Sequence, residues 1–471
     1  MARESSLSPG AANEEEQVVG RTHGPRVLAA ALAAAVLAGC STVPPVTTTS
    51  PSALDGARPG ASAGADPSAA PSPAPSQAPP PIPDGKLLSR DLAAISRSGI
   101  KATGLVVVDP ATGRTLTTRG DEPLVPASTM KVMTALAVVD TLGQDSTFET
   151  RVVSAKPGRL VLVGGGDPML TNQQSTSRSR LASLEGLADQ TVAALKQAGT
   201  TTVRLGYDDT LFAGPIWHPS WKPTWKSYTA RVAALTINGA RDGQWSVHPD
   251  PARTAAQAFA ARLKAGGIKV TAVKPEQAAA AAAVVAEARS APLSLIVGHM
   301  LRTSDNFVAE VLSRQVAVHT GGNGSFKAGS AAVTDWLKRH DLWADGLVID
   351  DGSGLSGKSR LRPSVLARAL AYTLTTPSLA TVANGLPVAG VNGTLKERFD
   401  DKAEKAGRTV VHAKTGTLLG VASLAGYVTT KDGATLTFAL MANQAVNRDT
   451  AYNWLDRTAS AIARCGCRPA D

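Results

Sequence analysis

The strand patterns of this chain lie at opposite ends of its apolar part, and this placement constrains the fold more than any other feature. Residues 104–109 have a strand pattern, with Leu-Val-Val-Val at their centre, and residues 115–118 follow a Pro-Ala-Thr-Gly turn as a hairpin partner. Near the C-terminus, residues 409–413 have a strand pattern, and residues 424–429 and 435–441 predict a second hairpin. Helical periodicity is common between these two groups. We therefore predict an α+β domain with one sheet built from distant segments.

The composition excludes several classes of protein. The chain has 471 residues, a net charge of +10 and 43% hydrophobic residues, enough for a sizeable core and, at about 100–200 residues per domain, for several domains. Aromatic residues make up only 4%, which argues against a base-stacking surface for nucleic acid. Three cysteines exclude a disulfide-stapled scaffold, and we assign no role to Cys465 and Cys467, which could pair or stay free. The histidines and cysteines show no metal-ligand spacing.

Residues 1–40 are typical of an export signal. Basic residues precede an apolar run over 27–37, which is shorter than the roughly 20 residues that cross a bilayer. The run ends in Leu-Ala-Gly-Cys40, which resembles the bacterial lipobox and implies a lipid anchor on Cys40. A plain secretory signal with an incidental cysteine is the alternative. Both interpretations predict an exported protein, and the lipobox interpretation places it on the outer face of the cytoplasmic membrane.

The rest of the chain divides by composition. Residues 41–85 are rich in Pro, Ala and Ser and bury too little apolar surface to fold, so we predict a disordered tether. Residues 149–287 alternate strand and helix patterns and predict an inserted, mixed α/β domain. Residues 86–148 and 288–471 are then the two parts of the main domain.

Ser128-Thr-Met-Lys131 is the first motif that could carry catalysis. A serine nucleophile needs a base and donors for the oxyanion. At the start of a predicted helix, Ser128 and Lys131 are three residues apart and share a face, and the helix N-terminus favours negative charge there. Burial near another cation would lower the pKa of Lys131 and allow a neutral amine to act as base. In isolation, a helix-capping serine followed by a surface lysine is the commoner explanation. A nucleophile-elbow pattern at 60–64 is rejected, because it lies in the predicted tether.

Two more short motifs are informative only in combination. A Ser-Asp-Asn sequence lies between helical patterns over 293–301 and 307–318, where a capping turn is the simpler explanation. A Lys-Thr-Gly-Thr sequence continues the predicted strand at 409–413, where the glycine would let a ligand approach the backbone, although an exposed lysine on a strand is the alternative. The candidate residues of these two motifs are Ser304, Asn306, Lys414, Thr415, Gly416 and Thr417.

The order S-x-x-K, S-D-N, K-T-G is the signature of penicillin-binding proteins and class A β-lactamases. The chain resembles the low-molecular-mass penicillin-binding proteins with D-alanyl-D-alanine carboxypeptidase and endopeptidase activity. Residues 162–168 and 351–356 match segments of that branch, although tight Gly-rich turns explain them as well. The gap between Lys131 and Ser304 is much longer than in class A β-lactamases, which agrees with an inserted domain. The resemblance implies a β-lactamase/transpeptidase-like fold, with an antiparallel sheet flanked by helices.

The resemblance also implies roles for the candidate residues. Ser128 would be the nucleophile and Lys131 its general base, while Ser304 would pass a proton to the leaving amine. Asn306 would orient Lys131 and bind a substrate amide. The substrate would be a peptidoglycan stem peptide, with β-lactams as inhibitors and with no cofactor. The residues that would support Ser304 or hold the terminal carboxylate lie on one strand: Lys414, Thr415, Gly416 and Thr417.

Two other functions remain open from the sequence. A β-lactamase would need fast deacylation, and we find no counterpart of the class A deacylating glutamate motif. A non-catalytic sensor of β-lactams or peptidoglycan could dispense with Lys131, so the three intact motifs argue against it.

Overall fold

The computed structural model describes residues 80–174, 181–243 and 246–466, which all belong to one compact unit. The predicted signal with Cys40, residues 60–64, all but the last few residues of the predicted tether and Cys467 lie outside the described residues. Cys465, directly after the last helix, is disulfide-bonded. No helix in the described part of the chain is both long and apolar enough to cross a membrane.

The described residues form α-helices and β-strands, with five successive helices between the last two groups of strands, and short 3₁₀ turns among them. The strands are β1 Ile100–Val108, β2 Thr115–Arg119, β3 Glu149–Lys156, β4 Arg159–Val163, β5 Thr202–Asp208, β6 Arg241–Asp242, β7 Ser246–Val247, β8 Lys269–Pro275, β9 Ala283–Arg289, β10 Val411–Leu418, β11 Val421–Thr429 and β12 Thr435–Ala445. The helices are α1 Gly85–Ala93, α2 Met130–Leu142, α3 Leu184–Gln197, α4 Pro251–Ala265, α5 Leu293–Thr303, α6 Asn306–His319, α7 Phe326–Arg339, α8 Pro363–Thr375, α9 Ala380–Asn384 and α10 Arg448–Arg464.

The first sheet joins the two ends of the described chain, as predicted. Its strand order is β10-β11-β12-β1-β2, and every neighbouring pair is antiparallel. Helices cover both faces of this sheet. Leu105 and Val107 of β1 pack in a core with α1 and α10, whereas Val106 and Val108 pack in a core with α2, α5, α6 and α8. Because both faces are buried, β1 is apolar at successive positions and not at every second one.

The second sheet has the strand order β8-β5-β4-β3-β9. Strands β4, β5 and β8 are parallel to each other, and β3 is antiparallel to β4 and β9, so the sheet is mixed. Helices α3 and α4 pack on it in a separate core. Its strands all lie between Glu149 and Arg289, and the domain boundary at 149–287 stays a prediction. The edge strand β9 was not predicted, because an alanine run precedes it and Val284 is exposed.

Candidate active site

Ser128 lies at the N-terminal end of α2, in a 3₁₀ turn over Ala127–Thr129 that directly precedes the helix. The prediction placed Ser128 in the first helical turn itself. The difference arises at Ala127, whose φ of 47° is in the left-handed region and bends the chain before the helix begins. Ser128 is half-buried, so its hydroxyl lies between the helix and solvent.

Lys131 has three oxygen partners and no exposed surface. Its Nζ lies 3.0 Å from Ser128 Oγ, 2.5 Å from Asn306 Oδ1 and 2.8 Å from the carbonyl oxygen of Ser353. Burial lowers the pKa of Lys131 to about 8, although nearby carboxyl groups raise it. The side chains of the first two motifs therefore meet at one buried amine.

The Ser-Asp-Asn motif joins α5 to α6. Ser304 follows α5 with a φ of 60°, and Asp305 caps α6 by accepting a hydrogen bond from the Val308 N–H at 3.0 Å. Asn306 begins α6, and its Nδ2 donates to the Tyr228 carbonyl at 2.9 Å. This hydrogen bond fixes the orientation of the Asn306 amide, so that its oxygen faces Lys131 Nζ.

Lys414 lies on β10 and is fully buried. Its Nζ donates to Ser304 Oγ at 2.9 Å and to the Thr415 carbonyl at 2.8 Å. Burial, followed by the charge of Lys131, lowers the pKa of Lys414 well below its usual range. This contact joins the second and third motifs.

Gly416 explains how β10 reaches Ser128. A Cβ atom at Gly416 would lie 2.2 Å from Ser423 Oγ, 2.7 Å from the Pro126 carbonyl oxygen and 2.9 Å from the Ser128 nitrogen. Only a residue without a side chain allows this approach. The third motif therefore lies against the backbone of the first.

The two threonines of β10 have hydroxyl partners outside the three motifs. Thr415 Oγ1 lies 2.7 Å from Thr394 Oγ1, and Thr417 Oγ1 lies 2.7 Å from Tyr452 Oη. Thr415 is buried, whereas Thr417 is exposed. The prediction from sequence included neither Thr394 nor Tyr452, because neither lies near a motif in the chain.

A second feature missed from sequence is the support of the loop at 351–356. Glu310 on α6 accepts hydrogen bonds from the backbone N–H groups of Gly352 at 3.2 Å and Ser353 at 2.7 Å. Glu310 is 1% exposed. It follows Asn306 by one helical turn and lies within an apolar run from Phe307 to Leu312, and a charge in that position is the signal that could have identified it.

Asp351 is the second buried carboxyl group of this loop. Its oxygens accept from the backbone N–H groups of Gly354 at 2.9 Å and Ser356 at 2.7 Å, and from Trp221 Nε1 at 3.0 Å. Burial raises the pKa of Asp351, and burial together with Asp351 raises the pKa of Glu310 to about 8. The two carboxyl groups thus fix the backbone whose carbonyl contacts Lys131.

The structure brings the eight catalytic and substrate-binding candidates together, and we call the partly exposed surface that they form the cleft. It does not place Cys40, which lies outside the described residues. Within the described ranges, no group of three or more His, Cys, Asp or Glu side chains is arranged to hold a metal ion. The lysines are buried beneath the cleft, while Ser128, Ser304 and Asn306 are half-buried. Two buried amines, each beside a serine hydroxyl, are an arrangement suited to acyl transfer.

Comparison with known proteins gives the predicted family from the sequence and the predicted architecture from the fold. The D-Ala-D-Ala carboxypeptidase 3 (S13) family profile matches residues 88–249 and 243–462. The chain is 35% identical over 380 residues to a carboxypeptidase of Mycobacterium tuberculosis, covering 77% of this chain and 80% of that protein. It is 30% identical over 435 residues to a D-alanyl-D-alanine carboxypeptidase of an Actinomadura strain, covering 72% and 77% of the two chains.

Among solved structures, penicillin-binding protein 4 of Haemophilus influenzae matches with a TM-score of 0.67 and 21% identity, over 80% of this chain and 98% of the other. This likeness concerns the fold, and it confirms the predicted transpeptidase-like architecture. The family match and the two sequence relatives lead to one conclusion. The chain belongs to the D-Ala-D-Ala carboxypeptidase 3 (S13) family and is a serine-type D-Ala-D-Ala carboxypeptidase, a hydrolase.

Proposed function

We propose that Ser128 is the nucleophile of this carboxypeptidase and that Lys131 is its general base. The observation that carries the proposal is the 3.0 Å contact between Lys131 Nζ and Ser128 Oγ. The other two partners of Lys131 are the carbonyl oxygens of Asn306 and Ser353, which can only accept hydrogen bonds. A neutral amine has two N–H bonds and one lone pair. With both N–H bonds donated to those carbonyls, the lone pair faces the Ser128 hydroxyl.

The first step is acylation by the substrate. Ser128 Oγ attacks the carbonyl carbon of the penultimate D-alanine while its proton moves to Lys131 Nζ. The oxyanion accepts hydrogen bonds from the backbone N–H groups of Ser128 and Thr417. The C–N bond then breaks, and the amine of the last D-alanine leaves with a proton delivered through Ser304.

Lys414 supports Ser304 and the substrate in this scheme. Its Nζ donates a hydrogen bond to Ser304 Oγ at 2.9 Å, and this hydrogen bond stabilises the oxygen as its proton leaves. The hydroxyl groups of Thr415 and Thr417 hold the terminal carboxylate of the substrate, and Gly416 keeps that strand close to Ser128. Water then hydrolyses the acyl-enzyme, with Lys131 again taking a proton, and frees Ser128.

The substrate is the D-Ala-D-Ala end of a peptidoglycan stem peptide. A cross-link between two stem peptides has a related D-amino acid bond, so endopeptidase activity belongs to the same proposal. A β-lactam acylates Ser128 by opening its ring and leaves slowly, because the opened ring remains attached to the acyl group. The H. influenzae relative is named for penicillin binding, which supports this part of the proposal.

Covalent labelling of Ser128 tests the assignment. Wild-type protein incubated with fluorescent penicillin should gain one label on the peptide that contains Ser128, as read by intact and peptide mass spectrometry. Ser128→Ala should lose both the label and the release of D-alanine from a D-Ala-D-Ala peptide. The exposed Ser98→Ala serves as the matched control and should keep both. A label that persists in Ser128→Ala would disprove the nucleophile assignment.

Export and a lipid anchor on Cys40 complete the proposal. The sequence around Cys40 supports it, because small residues follow a short apolar run. Full-length protein expressed in a bacterial host should partition into detergent and gain the mass of acyl chains on a peptide that begins with Cys40. Cys40→Ser should be recovered without that mass, and an unmodified wild-type Cys40 would rule out the anchor.

A further inference from the structure

The hydroxyl groups of Thr415 and Thr417 each have a partner that no motif contains. These partners are Thr394, in a 3₁₀ turn before β10, and Tyr452, on the first turns of α10. Each oxygen–oxygen distance is 2.7 Å, which is typical of a hydroxyl–hydroxyl hydrogen bond. The two partners belong to different elements, yet both contact β10, the strand whose threonines are proposed to bind the terminal carboxylate of the substrate.

The single proton of each threonine hydroxyl determines which partner donates in these hydrogen bonds when a carboxylate is bound. A threonine hydroxyl has one proton and can accept through its lone pairs. If Thr415 and Thr417 donate their protons to a carboxylate, their oxygens can only accept from Thr394 and Tyr452. The result is two short relays that end on the carboxylate, and each donor strengthens the next hydrogen bond in its relay.

Tyr452 is held by a buried ion pair. Asp456 follows it by one turn on the same face of α10, and its carboxylate accepts two hydrogen bonds from Arg398, at 2.9 and 2.5 Å. The guanidinium carbon of Arg398 lies 4.0 Å from the centre of the Tyr452 ring, and that of Arg448 lies 5.8 Å from it. The side chains of Arg398 and Asp456 are 11% and 5% exposed. Two cations therefore face the ring whose hydroxyl contacts Thr417.

We propose that Thr394 and Tyr452 are positioning residues for the terminal carboxylate of the substrate. Each donates its hydroxyl proton to a threonine of β10 and thereby orients the proton of that threonine toward the carboxylate. The inference rests on the proposed function, in which Thr415 and Thr417 bind that group. It adds two residues, remote from the three motifs, that determine the preference for a free carboxylate over an uncharged end.

The test compares a charged ligand with an uncharged one. Benzylpenicillin and its methyl ester differ only in the carboxylate, and the rate constant for acylation of Ser128 by each can be followed by mass spectrometry. The variants are Tyr452→Phe, which keeps the ring and its contacts with Arg398, and Thr394→Val, which keeps the shape. Thr394→Ser keeps the hydroxyl and is the matched control. Thermal unfolding and the labelled fraction verify that each variant is folded and active.

Tyr452→Phe and Thr394→Val should each reduce the preference for the acid over the ester by about three- to tenfold. With a D-Ala-D-Ala peptide, the same variants should raise KM and leave kcat nearly unchanged, and Thr394→Ser should behave as wild type. An equal loss of acylation rate with acid and ester would overturn the proposal, since a merely structural role affects both ligands alike. An unchanged rate with both ligands in both variants would overturn it as well.

Thr417→Val separates this inference from the function on which it rests. If Thr417 binds the carboxylate, this variant should lose most of the preference for the acid. A preference that survives in Thr417→Val contradicts the proposed role of Thr417 itself. A preference that is lost in Thr417→Val and intact in Tyr452→Phe leaves that role standing and overturns the positioning role of Tyr452.

Discussion

At the scale of single residues, the environment of Lys131 combines two opposing effects. Burial favours the neutral amine, and the carboxyl groups of Asp351, Glu310 and Asp305 favour the ammonium form. The balance brings the pKa of Lys131 to about 8, so about a tenth of the molecules hold a neutral amine one pH unit lower. A lysine can act as a base under these conditions, whereas an arginine stays charged.

Acylation by penicillin should therefore increase with pH. Below about pH 8 the rate should rise close to tenfold per pH unit, because only the neutral Lys131 takes the proton of Ser128, and above that pH it should level off. The measurement is the rate of labelling with fluorescent penicillin between pH 5.5 and 9.5. Lys131→Arg should label at least 100-fold more slowly at every pH, at about the scale of a lost general base. A flat wild-type profile would contradict this role for Lys131.

Asp167 is a buried carboxyl group that should affect stability. It is 3% exposed and accepts one hydrogen bond, from the Met169 N–H at 2.8 Å, and burial raises its pKa from 3.8 to about 7. Between these two values the unfolded chain releases the proton and the folded protein retains it. This group alone therefore lowers the free energy of unfolding as pH rises, by up to about 1.4 kcal/mol per pH unit.

Asp167→Asn should remove that dependence. The amide keeps the oxygen that accepts from Met169 and cannot ionise, so any cost of the substitution is independent of pH. As the pH rises from 4 to 7, the free energy of unfolding of the variant should increase relative to that of wild type, as measured by urea unfolding at several pH values. Parallel stability curves for the two proteins would mean that Asp167 is not protonated in the folded state.

At the scale of elements, strand β10 depends on a single close contact at Gly416. An added Cβ atom would meet the backbone of Pro126 and Ser128, which cannot move aside as a flexible side chain can. The strand would have to shift away from Ser128, and a shift of about 1 Å in a catalytic group can cost about 100-fold in rate.

Gly416→Ala should therefore lower the acylation rate by about 100-fold while Ser128 and Lys131 remain present. Gly357→Ala is the matched control, since a Cβ atom there meets nothing within 4 Å and should leave the rate unchanged. Labelling kinetics with fluorescent penicillin measure both. A wild-type rate in Gly416→Ala would show that β10 can shift without consequence for the cleft.

Element prediction from sequence succeeded where the local pattern and the packing agree. The sequence near 449–464 has a helical pattern, and this segment forms α10, which has a capping asparagine, Asn447, and one apolar face. Strands β1, β11 and β12 of the first sheet were recognisable because most of their residues are apolar or β-branched. Helices α7 and α8 were not predicted, and neither was β9, which owes its conformation to pairing with β3. Pairing between strands is a tertiary interaction that a local pattern does not contain.

At the scale of the whole molecule, a tryptophan links the segment between β5 and α4 to the loop at 351–356. Trp221 is 3% exposed, and its indole N–H donates to Asp351 at 3.0 Å. Nearby, His218 Nε2 donates to the carbonyl of Asp350 at 3.0 Å. Since the loop at 351–356 carries the Ser353 carbonyl, this link connects the predicted insert to Lys131.

Trp221→Phe should destabilise the protein by about 1–3 kcal/mol, because it leaves a buried carboxyl group without one of its donors. It should also slow acylation, since the loop at 351–356 loses part of its support. Trp225→Phe is the control, because Trp225 is only half-buried and lies in the same segment between β5 and α4 as Trp221. Urea unfolding and labelling kinetics give the two readouts. Equal effects of the two substitutions would argue against a specific link through Asp351.

The sequence by itself determined the identity and order of the three motifs, the strand and helix patterns that carry them, and the family to which they belong. These properties depend on residues that are neighbours in the chain, where local conformational preferences act. Only the tertiary structure decided which atoms surround Lys131, why Gly416 must be a glycine, and that Glu310, Thr394 and Tyr452 lie beside the cleft. Those contacts join segments that are tens to hundreds of residues apart, and they arise from packing two cores around a shared sheet, which no local pattern encodes.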